Sequence, residues 1–246
     1  MSKFHFSSLK FFIDAEVPTG SNILLVGPPG VGKTVFSESL ICECLHNMDK
    51  AMYVTLDHAP RDVKKRVLMQ GIDLEKEDSK LVFVDGYSWL IGDSTEKFYV
   101  RNLSNLSDLS VKMNSADSAI GNESFFIFDS ISTLLVYGTE DEVARFIEVN
   151  MARMKNVNNV GVWVVEQGIH TEKFYNTLRH IVDGILEMRF EENEDIFRYI
   201  RMHTFKGLAH RTKWLQFVIN QDRTVSILSY EDVNKGVMPL YPNRIA

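Results

Sequence analysis

The chain has 246 residues, of which 45% are hydrophobic and 24% are charged, and its formal net charge is −6. This length is enough for one substantial hydrophobic core, and the balance of apolar and charged residues excludes general disorder. The acidic excess gives no overall attraction to nucleic acid or to anionic membranes, although a local basic strip would still bind phosphates.

The N-terminal and apolar segments predict a cytoplasmic protein that does not enter a membrane. MSKFHFSSLKFFIDAEVP contains no apolar stretch long enough for a signal peptide. The longest apolar region, FFIFDSISTLLVYG at 125–138, is interrupted by Asp129 and is too short to cross a bilayer. Cys42 and Cys44 are the only cysteines. On a helix they would lie on different faces, which suits neither a disulfide nor a shared metal site.

Five short apolar runs, rich in β-branched and aromatic residues, are typical of buried parallel strands. They are NILLV (22–26), AMYVTL (51–56), KLVFV (80–84), SFFIF (124–128) and VGVWVV (160–165). Helical periodicity follows the first run after Lys33 and recurs over residues 140–157, and Pro60 fits the first turn of another helix. Alternating strands and helices predict an α/β fold with a mostly parallel central sheet flanked by helices.

After about residue 181 the pattern changes to consecutive strands. They are IVDGILEMRF (181–190), IFRYIRMHTF (196–205), KWLQFVI (213–219) and TVSILSY (224–230). Their short connections, the first being the acidic turn at 191–195, predict an antiparallel extension of the parallel sheet. We therefore expect an N-terminal arm at 1–19, one domain at 20–230 and a loose tail at 231–246.

The segment after NILLV is GPPGVGKT, a complete G-x-x-x-x-G-K-T loop between a predicted strand and a predicted helix. Its glycines permit close backbone approach, so that N–H groups and the helix N-terminus cradle phosphate oxygens. Lys33 should reach the β- and γ-phosphates of ATP, and the Thr34 hydroxyl should ligate Mg²⁺. The expected nucleotide-binding residues are Gly27, Pro28, Pro29, Gly30, Val31, Gly32, Lys33, Thr34 and Val35.

Asp129 ends the apolar run SFFIF, where an unpaired buried carboxylate would be costly. Beside a phosphate-binding loop it would hold Mg²⁺ through a water molecule. A strand-end cap is the alternative role for this residue.

These motifs resemble those of RecA-superfamily ATPases, specifically the single-domain KaiC-like proteins common in archaea. The resemblance runs from about Val17 to Leu228 and rests on GPPGVGKT, YVTLDHAPRDV, FFIFDSIS and the run from HIVDGILEM to FKGLAH. It implies a RecA-like P-loop core with an antiparallel C-terminal extension. It also implies a homo-oligomer, as a hexamer ring or a filament, or a related protein partner. ATP would then lie between neighbours, and a basic finger of one protomer would reach the phosphates of the next.

The segment TLDHAP departs from the family at two positions. The family has one or two glutamates where this chain has Asp57 and His58, and there they polarise the attacking water. We take Asp57 as the candidate water-activating base, and His58, whose unperturbed pKa suits proton transfer, as its assistant. The alternative is that Asp57 caps a turn before Pro60 while His58 packs against a neighbour.

Two further candidates lie near the C-terminal half. In TFKGLAH, Lys206 replaces the family's arginine and lacks its bidentate fork. Because an arginine finger is worth roughly 10³–10⁵ in rate, this change and Asp57 together predict slow turnover. Gln167 follows VGVWVVE, where RecA-like proteins often keep a γ-phosphate sensor. Glu166 is an equally credible polar group there, and a plain surface residue is the alternative.

The favoured function is a nucleotide-dependent regulatory or assembly factor with slow, Mg-dependent ATP hydrolysis. A DNA-binding recombinase paralogue is the main alternative, because a basic strip with neighbouring aromatic residues occurs near the C-terminus. A solvated hairpin explains that strip equally simply, so nucleic acid is not favoured. An autokinase is a weaker alternative, with acceptor serines at 92–95 or 102–110.

Overall fold

The computed structural model describes residues 3–47, 49–74, 80–92, 94–192 and 195–228. Its strands are β1 (Lys3–Phe4), β2 (Val17–Pro18), β3 (Asn22–Gly27), β4 (Ala51–Thr55), β5 (Leu81–Asp85), β6 (Phe98–Tyr99), β7 (Phe125–Asp129), β8 (Val160–Glu166), β9 (Gly184–Glu192), β10 (Ile196–Phe205), β11 (Leu215–Ile219) and β12 (Val225–Ile227). Its α-helices are α1 (Lys33–His46), α2 (Pro60–Met69), α3 (Leu106–Ile120), α4 (Ile131–Leu134), α5 (Glu140–Asn156) and α6 (Glu172–Ile181).

Ten strands form one sheet in the order β12-β11-β10-β9-β3-β8-β7-β4-β5-β6, and β1 pairs separately with β2. From β9 to β6 all neighbours are parallel, whereas β9 to β12 are antiparallel. The predicted α/β architecture with a C-terminal antiparallel extension is thus confirmed. The predicted start of its first strand at residue 181 is wrong, because α6 continues to Ile181 and β9 begins at Gly184.

The parallel strands fix where a ligand site forms. β3, β4, β7 and β8 run in the same direction, so their C-terminal residues meet at one edge of the sheet, here called the carboxyl edge. In open α/β sheets, ligands bind in the crevice outside these strand ends. All the predicted site residues except Lys206 therefore lie at the carboxyl edge.

Two apolar layers cover the sheet, one on each face. The layer with α1 and α2 includes Phe4, Phe6 and Phe12, each at most 4% exposed, so the N-terminal arm packs onto the core. The layer with α3, α5 and α6 contains Phe126 and Trp163, whose rings meet edge to face at 5.1 Å. The predicted tail at 231–246 lies outside the described residues. No helix in the described part of the chain is both long and apolar enough to span a bilayer.

Candidate active site

The turn of the loop after β3 depends on two glycines. Gly30 and Gly32 have φ values of +76° and +109°, a backbone region that side-chain-bearing residues rarely adopt. A Cβ on Gly27 would lie 3.0 Å from Met188 of β9, and one on Gly32 would lie 2.9 Å from Ile219 of β11. The antiparallel extension therefore presses directly against this loop.

Lys33 opens α1 and is only 7% exposed. Its Nζ donates hydrogen bonds to the carbonyl oxygens of Gly27 and Pro28, both at 2.9 Å, and lies 3.7 Å from a carboxylate oxygen of Glu166. Burial lowers the pKa of Lys33, and the nearby Glu166 and Asp129 oppose that shift. The loop thus holds one buried amine at its centre.

Asp129 ends β7 and is 3% exposed. The buried Tyr53 hydroxyl donates to its Oδ2 at 3.1 Å, and the Thr34 hydroxyl lies near enough to its carboxylate to oppose the rise of its pKa. Burial, reinforced by the charge of Asp57, raises the pKa of Asp129 to about 7. The peptide bond to Ser130 is cis. The predicted pair of Thr34 and Asp129 is therefore brought together, and Tyr53 is a partner that sequence reasoning missed.

Asp57 and His58 follow β4, whose last residue, Thr55, pairs with Asp129 of β7. Both are accessible to solvent at the carboxyl edge, and neighbouring groups cover part of the His58 ring. The Asp57 carboxylate accepts a hydrogen bond from the Thr133 hydroxyl of α4. Partial burial and the charge of Arg66 lower the pKa of His58, while Asp57 opposes that shift. Asp57 therefore lies at the site, but its carboxylate is already hydrogen-bonded to Thr133.

Glu166 and Gln167 end β8 at the same edge. The backbone N–H of Gln167 donates to the Gly27 carbonyl at 2.9 Å, and its side chain is exposed. Of the two, Glu166 carries the side chain that faces Lys33. The Glu166 N–H also donates to the Ser132 hydroxyl at 2.9 Å, and that hydroxyl lies 2.8 Å from Nε2 of His170.

Lys206 lies at the opposite edge of the sheet. The preceding residue, Phe205, pairs with Gly184 at the start of β9, beside Ile23 at the start of β3. About 15 Å of strand therefore separates Lys206 from the loop of its own chain. Its Nζ donates to the His180 carbonyl at 2.7 Å. One chain alone does not bring Lys206 to the site.

A charged cluster beneath the site was not predicted. Glu38 of α1 is fully buried and contacts Arg66 of α2 and Arg223 of the β11–β12 turn. No sequence signal marks this carboxylate as buried, because it stands between Ser37 and Ser39 in a mixed stretch of α1. Its partners are 28 and 185 residues away, so no local pattern points to them.

The residues present fit a nucleoside triphosphate with Mg²⁺. The loop has open space beside Gly30, where an added Cβ would meet no atom within 4 Å, and a buried lysine amine lies at its centre. The hydroxyl of Thr34 and the carboxylate of Asp129 are hard oxygen donors, which Mg²⁺ prefers.

The chain is similar in sequence to several known proteins. UPF0273 proteins of Thermotoga maritima and Methanopyrus kandleri are each 28% identical to the chain. The first match covers 82% of this chain and 86% of the relative, and the second covers 85% of each. The circadian clock oscillator protein KaiC of Acaryochloris marina is 35% identical over 72 residues, 28% of this chain and 14% of that protein.

A solved structure shares the fold. The KaiC-like protein PH0186 of Pyrococcus horikoshii aligns with a TM-score of 0.74 over 93% of this chain and 98% of that one, at 17% identity. The family model "ATPase: KaiC" matches residues 8–232, which is most of the chain and includes the loop, Asp57 and Asp129. The chain belongs to the KaiC family of ATPases.

Proposed function

We propose that this protein binds Mg-ATP at the carboxyl edge, hydrolyses it slowly and uses its nucleotide state to control assembly. The partner is a second copy or a related protein. The observation that carries the proposal is the arrangement of Lys33, Thr34 and Asp129 around the glycine loop, with Asp57 engaged by Thr133 beside them.

The chain's own residues account for binding and orientation. Backbone N–H groups of the loop and the N-terminus of α1 would cradle the phosphates, and Lys33 would exchange its carbonyl contacts for phosphate oxygens. Thr34 and Asp129 would hold Mg²⁺, which neutralises charge on the phosphate oxygens when it is bound. Asp57 would orient the attacking water and act as its base, and a neutral His58 would assist the proton transfer.

Slow turnover follows from the same contacts. The Asp57 carboxylate is one methylene shorter than a glutamate, and the Thr133 hydroxyl holds it towards α4. A misplacement of about 1 Å is enough to reduce a rate by about 10²-fold. Lys206 would have to reach a neighbour, and a lysine gives no bidentate contact there. Turnover should therefore be well below about one per second.

An assembly role is supported by the position of Lys206. The lysine lies at the edge opposite its own nucleotide loop, so a complete set of cationic groups around the phosphates requires a second protomer. ATP bound between two protomers would then stabilise their contact, and hydrolysis would weaken it.

Nucleic-acid binding is a weaker proposal, because the basic strip already has partners. The Trp214 ring lies 4.6 Å from the Arg189 guanidinium and 4.4 Å from that of Arg201. Arg201 also donates two hydrogen bonds to Glu187, and Arg211 pairs with Asp14. A base would have to displace these contacts to stack here.

The test is steady-state phosphate release with Mg-ATP, with nucleotide binding measured in parallel. Lys33→Ala should abolish both binding and turnover, and it controls for contaminating ATPases. Asp57→Asn should keep binding and lose turnover, whereas Asp57→Glu, which restores the missing methylene, should raise turnover by about tenfold or more. Equal rates for wild type and Asp57→Asn would overturn the assignment of Asp57. Light scattering with and without Mg-ATP tests assembly.

A further inference from the structure

The charged cluster of Glu38, Arg66 and Arg223, here called the charge clamp, joins three separate elements. Arg66 Nε lies 2.5 Å from Glu38 Oε1, and Arg223 Nη2 lies 3.4 Å from Glu38 Oε2. Glu38 itself is 0% exposed. It lies on α1, one helical turn beyond Thr34.

Stability alone gives no reason for this cluster. A fully buried carboxylate carries a desolvation penalty of several kcal/mol, and apolar residues of similar volume often do as well or better. Burial raises the pKa of Glu38, and Arg66 opposes that shift. Within the described chain, Nη2 of Arg66 and Nε of Arg223 are buried without a hydrogen-bond partner. The clamp is therefore an expensive and imperfectly paired network.

Each of its three elements contributes to the carboxyl-edge site or packs against it. α1 begins with Lys33 and Thr34. α2 begins two residues after His58, so Arg66 anchors the helix that follows the Asp57–His58 loop. Arg223 lies in the turn after Ile219, the residue whose side chain is packed against Gly32.

Electrostatic effects extend from the clamp into the site. Arg66 and Arg223 both contribute to lowering the pKa of His58, after the larger effect of burial. The cluster is thus close enough to the reacting edge to influence it.

We propose that Glu38 is a positioning residue for the ATP site: by holding Arg66 and Arg223 it fixes the Asp57–His58 loop and the β11–β12 hairpin against the P-loop helix. The proposal rests on the proposed ATPase function. The two ion pairs of Glu38, with Arg66 and with Arg223, have different effects. Loss of Arg66 releases the loop that orients water, so kcat should fall with little change in KM. Loss of Arg223 releases the hairpin from Gly32, so KM for ATP should rise with little change in kcat.

The matched control is Glu187 of β9. It also faces two arginines, Arg201 at 2.6 Å and Arg179 at 3.9 Å, but it packs against α6 on the other face of the sheet. Glu187→Gln therefore makes the same chemical change on the face of the sheet opposite α1 and α2. Its kcat and KM should stay within about twofold of wild type, since the lost ion pairs hold neither the Asp57–His58 loop nor the β11–β12 hairpin.

The first measurement compares kcat, KM and fluorescent-ATP binding for Arg66→Met, Arg223→Met, Glu38→Gln and Glu187→Gln. Because Glu38→Gln leaves two partly buried guanidinium groups without their carboxylate, it risks misfolding. The triple variant Glu38→Met/Arg66→Met/Arg223→Met removes all three charges and should fold with near wild-type stability. We expect it to bind ATP more weakly than wild type and to hydrolyse ATP at least about tenfold more slowly. Wild-type kcat and KM in the folded triple variant would show that the clamp is only structural and would overturn the proposal.

The second measurement separates the clamp from the ATPase proposal. Hydrogen exchange of nucleotide-free protein reports the amides of residues 56–62 and 219–224, which include the hydrogen bonds from Leu56 to Asp129 and from Asn220 to Thr224. Both segments should lose protection in Glu38→Gln but not in Glu187→Gln. If wild type binds no ATP but this pattern holds, the ATPase proposal fails and the clamp stands. Unchanged protection in both segments of Glu38→Gln refutes the clamp whatever the ATPase result.

Discussion

Gly161 of β8 leaves no room for a side chain, and its replacement by alanine tests how rigidly the centre of the sheet is packed. The added Cβ would lie 2.0 Å from Cζ and 2.2 Å from Cε1 of Phe126, its neighbour in β7. Carbon atoms normally approach to about 3.5–4.0 Å. The Phe126 ring would have to move by about 1.5 Å to restore that separation.

The surroundings of Phe126 make this movement costly. The ring is fully buried and meets the fully buried Trp163 edge to face at 5.1 Å. Overpacking of this kind costs typically about 1–3 kcal/mol, and with no exposed direction for relief we expect a loss near the top of that range. For a chain of this length, a loss of that size lowers Tm by about 6–12 °C. Phe126 lies three residues before Asp129, so Mg-ATP binding should weaken as well.

The assay is urea unfolding followed by far-UV circular dichroism, with thermal melts alongside. Gly138→Ala is the control, because a Cβ there has its nearest neighbour, Glu142 Oε2, at 3.6 Å. That control should change the free energy of unfolding by less than about 0.5 kcal/mol. Adding Phe126→Leu to Gly161→Ala should recover part of the lost stability. A loss below about 0.5 kcal/mol for Gly161→Ala alone would refute the packing argument.

Three further predictions concern the charges of the site. Tyr53→Phe removes a hydroxyl that donates to Asp129, so the pKa of that carboxyl should rise further, and Mg-ATP binding measured by calorimetry should weaken at pH 7 more than at pH 9. Burial already raises the pKa of Asp129 to about 7, above its unfolded value, so the metal-free protein should lose stability as pH rises from about 4 through 7. Urea midpoints measured in EDTA should show that Asp129→Asn removes this part of the pH dependence of stability. An unchanged pH dependence in Asp129→Asn would contradict the assignment to Asp129. Glu166→Gln removes the carboxylate 3.7 Å from Lys33 and should tighten ATP binding by at most about fivefold, because Glu166 is one-third exposed and solvent screens the pair. Weaker binding would indicate that Glu166 itself contacts the nucleotide.

The parts of this molecule that sequence reasoning predicted are those specified locally. The five parallel strands and the glycine loop each depend on a few consecutive residues, and their order along the chain fixes the carboxyl edge. The apolar stripe of α3 was also present, at Leu109, Met113, Ala116 and Ile120. The sequence interpretation missed it because it treated the serines at 102–110 only as candidate phosphate acceptors, whereas Asn105 caps the helix there.

The remaining features depend on contacts between distant segments. The Thr133 hydroxyl reaches Asp57 across 76 residues, and Arg223 reaches Glu38 across 185. Neither contact has a periodic signal, because each requires the sheet order to be known first. The same holds for the burial of Phe4 and Phe6 on the core, since a short aromatic arm does not show in its own sequence which surface it covers.

The placement of Lys206 and the glycine loop at opposite edges of one sheet has a consequence for symmetry. A contact that joins Lys206 of one copy to the loop of another can be made twice across a two-fold axis, which stops the assembly at two copies, or once in each step of a head-to-tail arrangement. A head-to-tail arrangement leaves one loop and one Lys206 free at its ends. It closes into a ring if the rotation per step divides a full turn, and otherwise it grows as a helical filament. The particle size should therefore reach a plateau with rising concentration for a two-fold dimer or a ring and keep increasing for a filament.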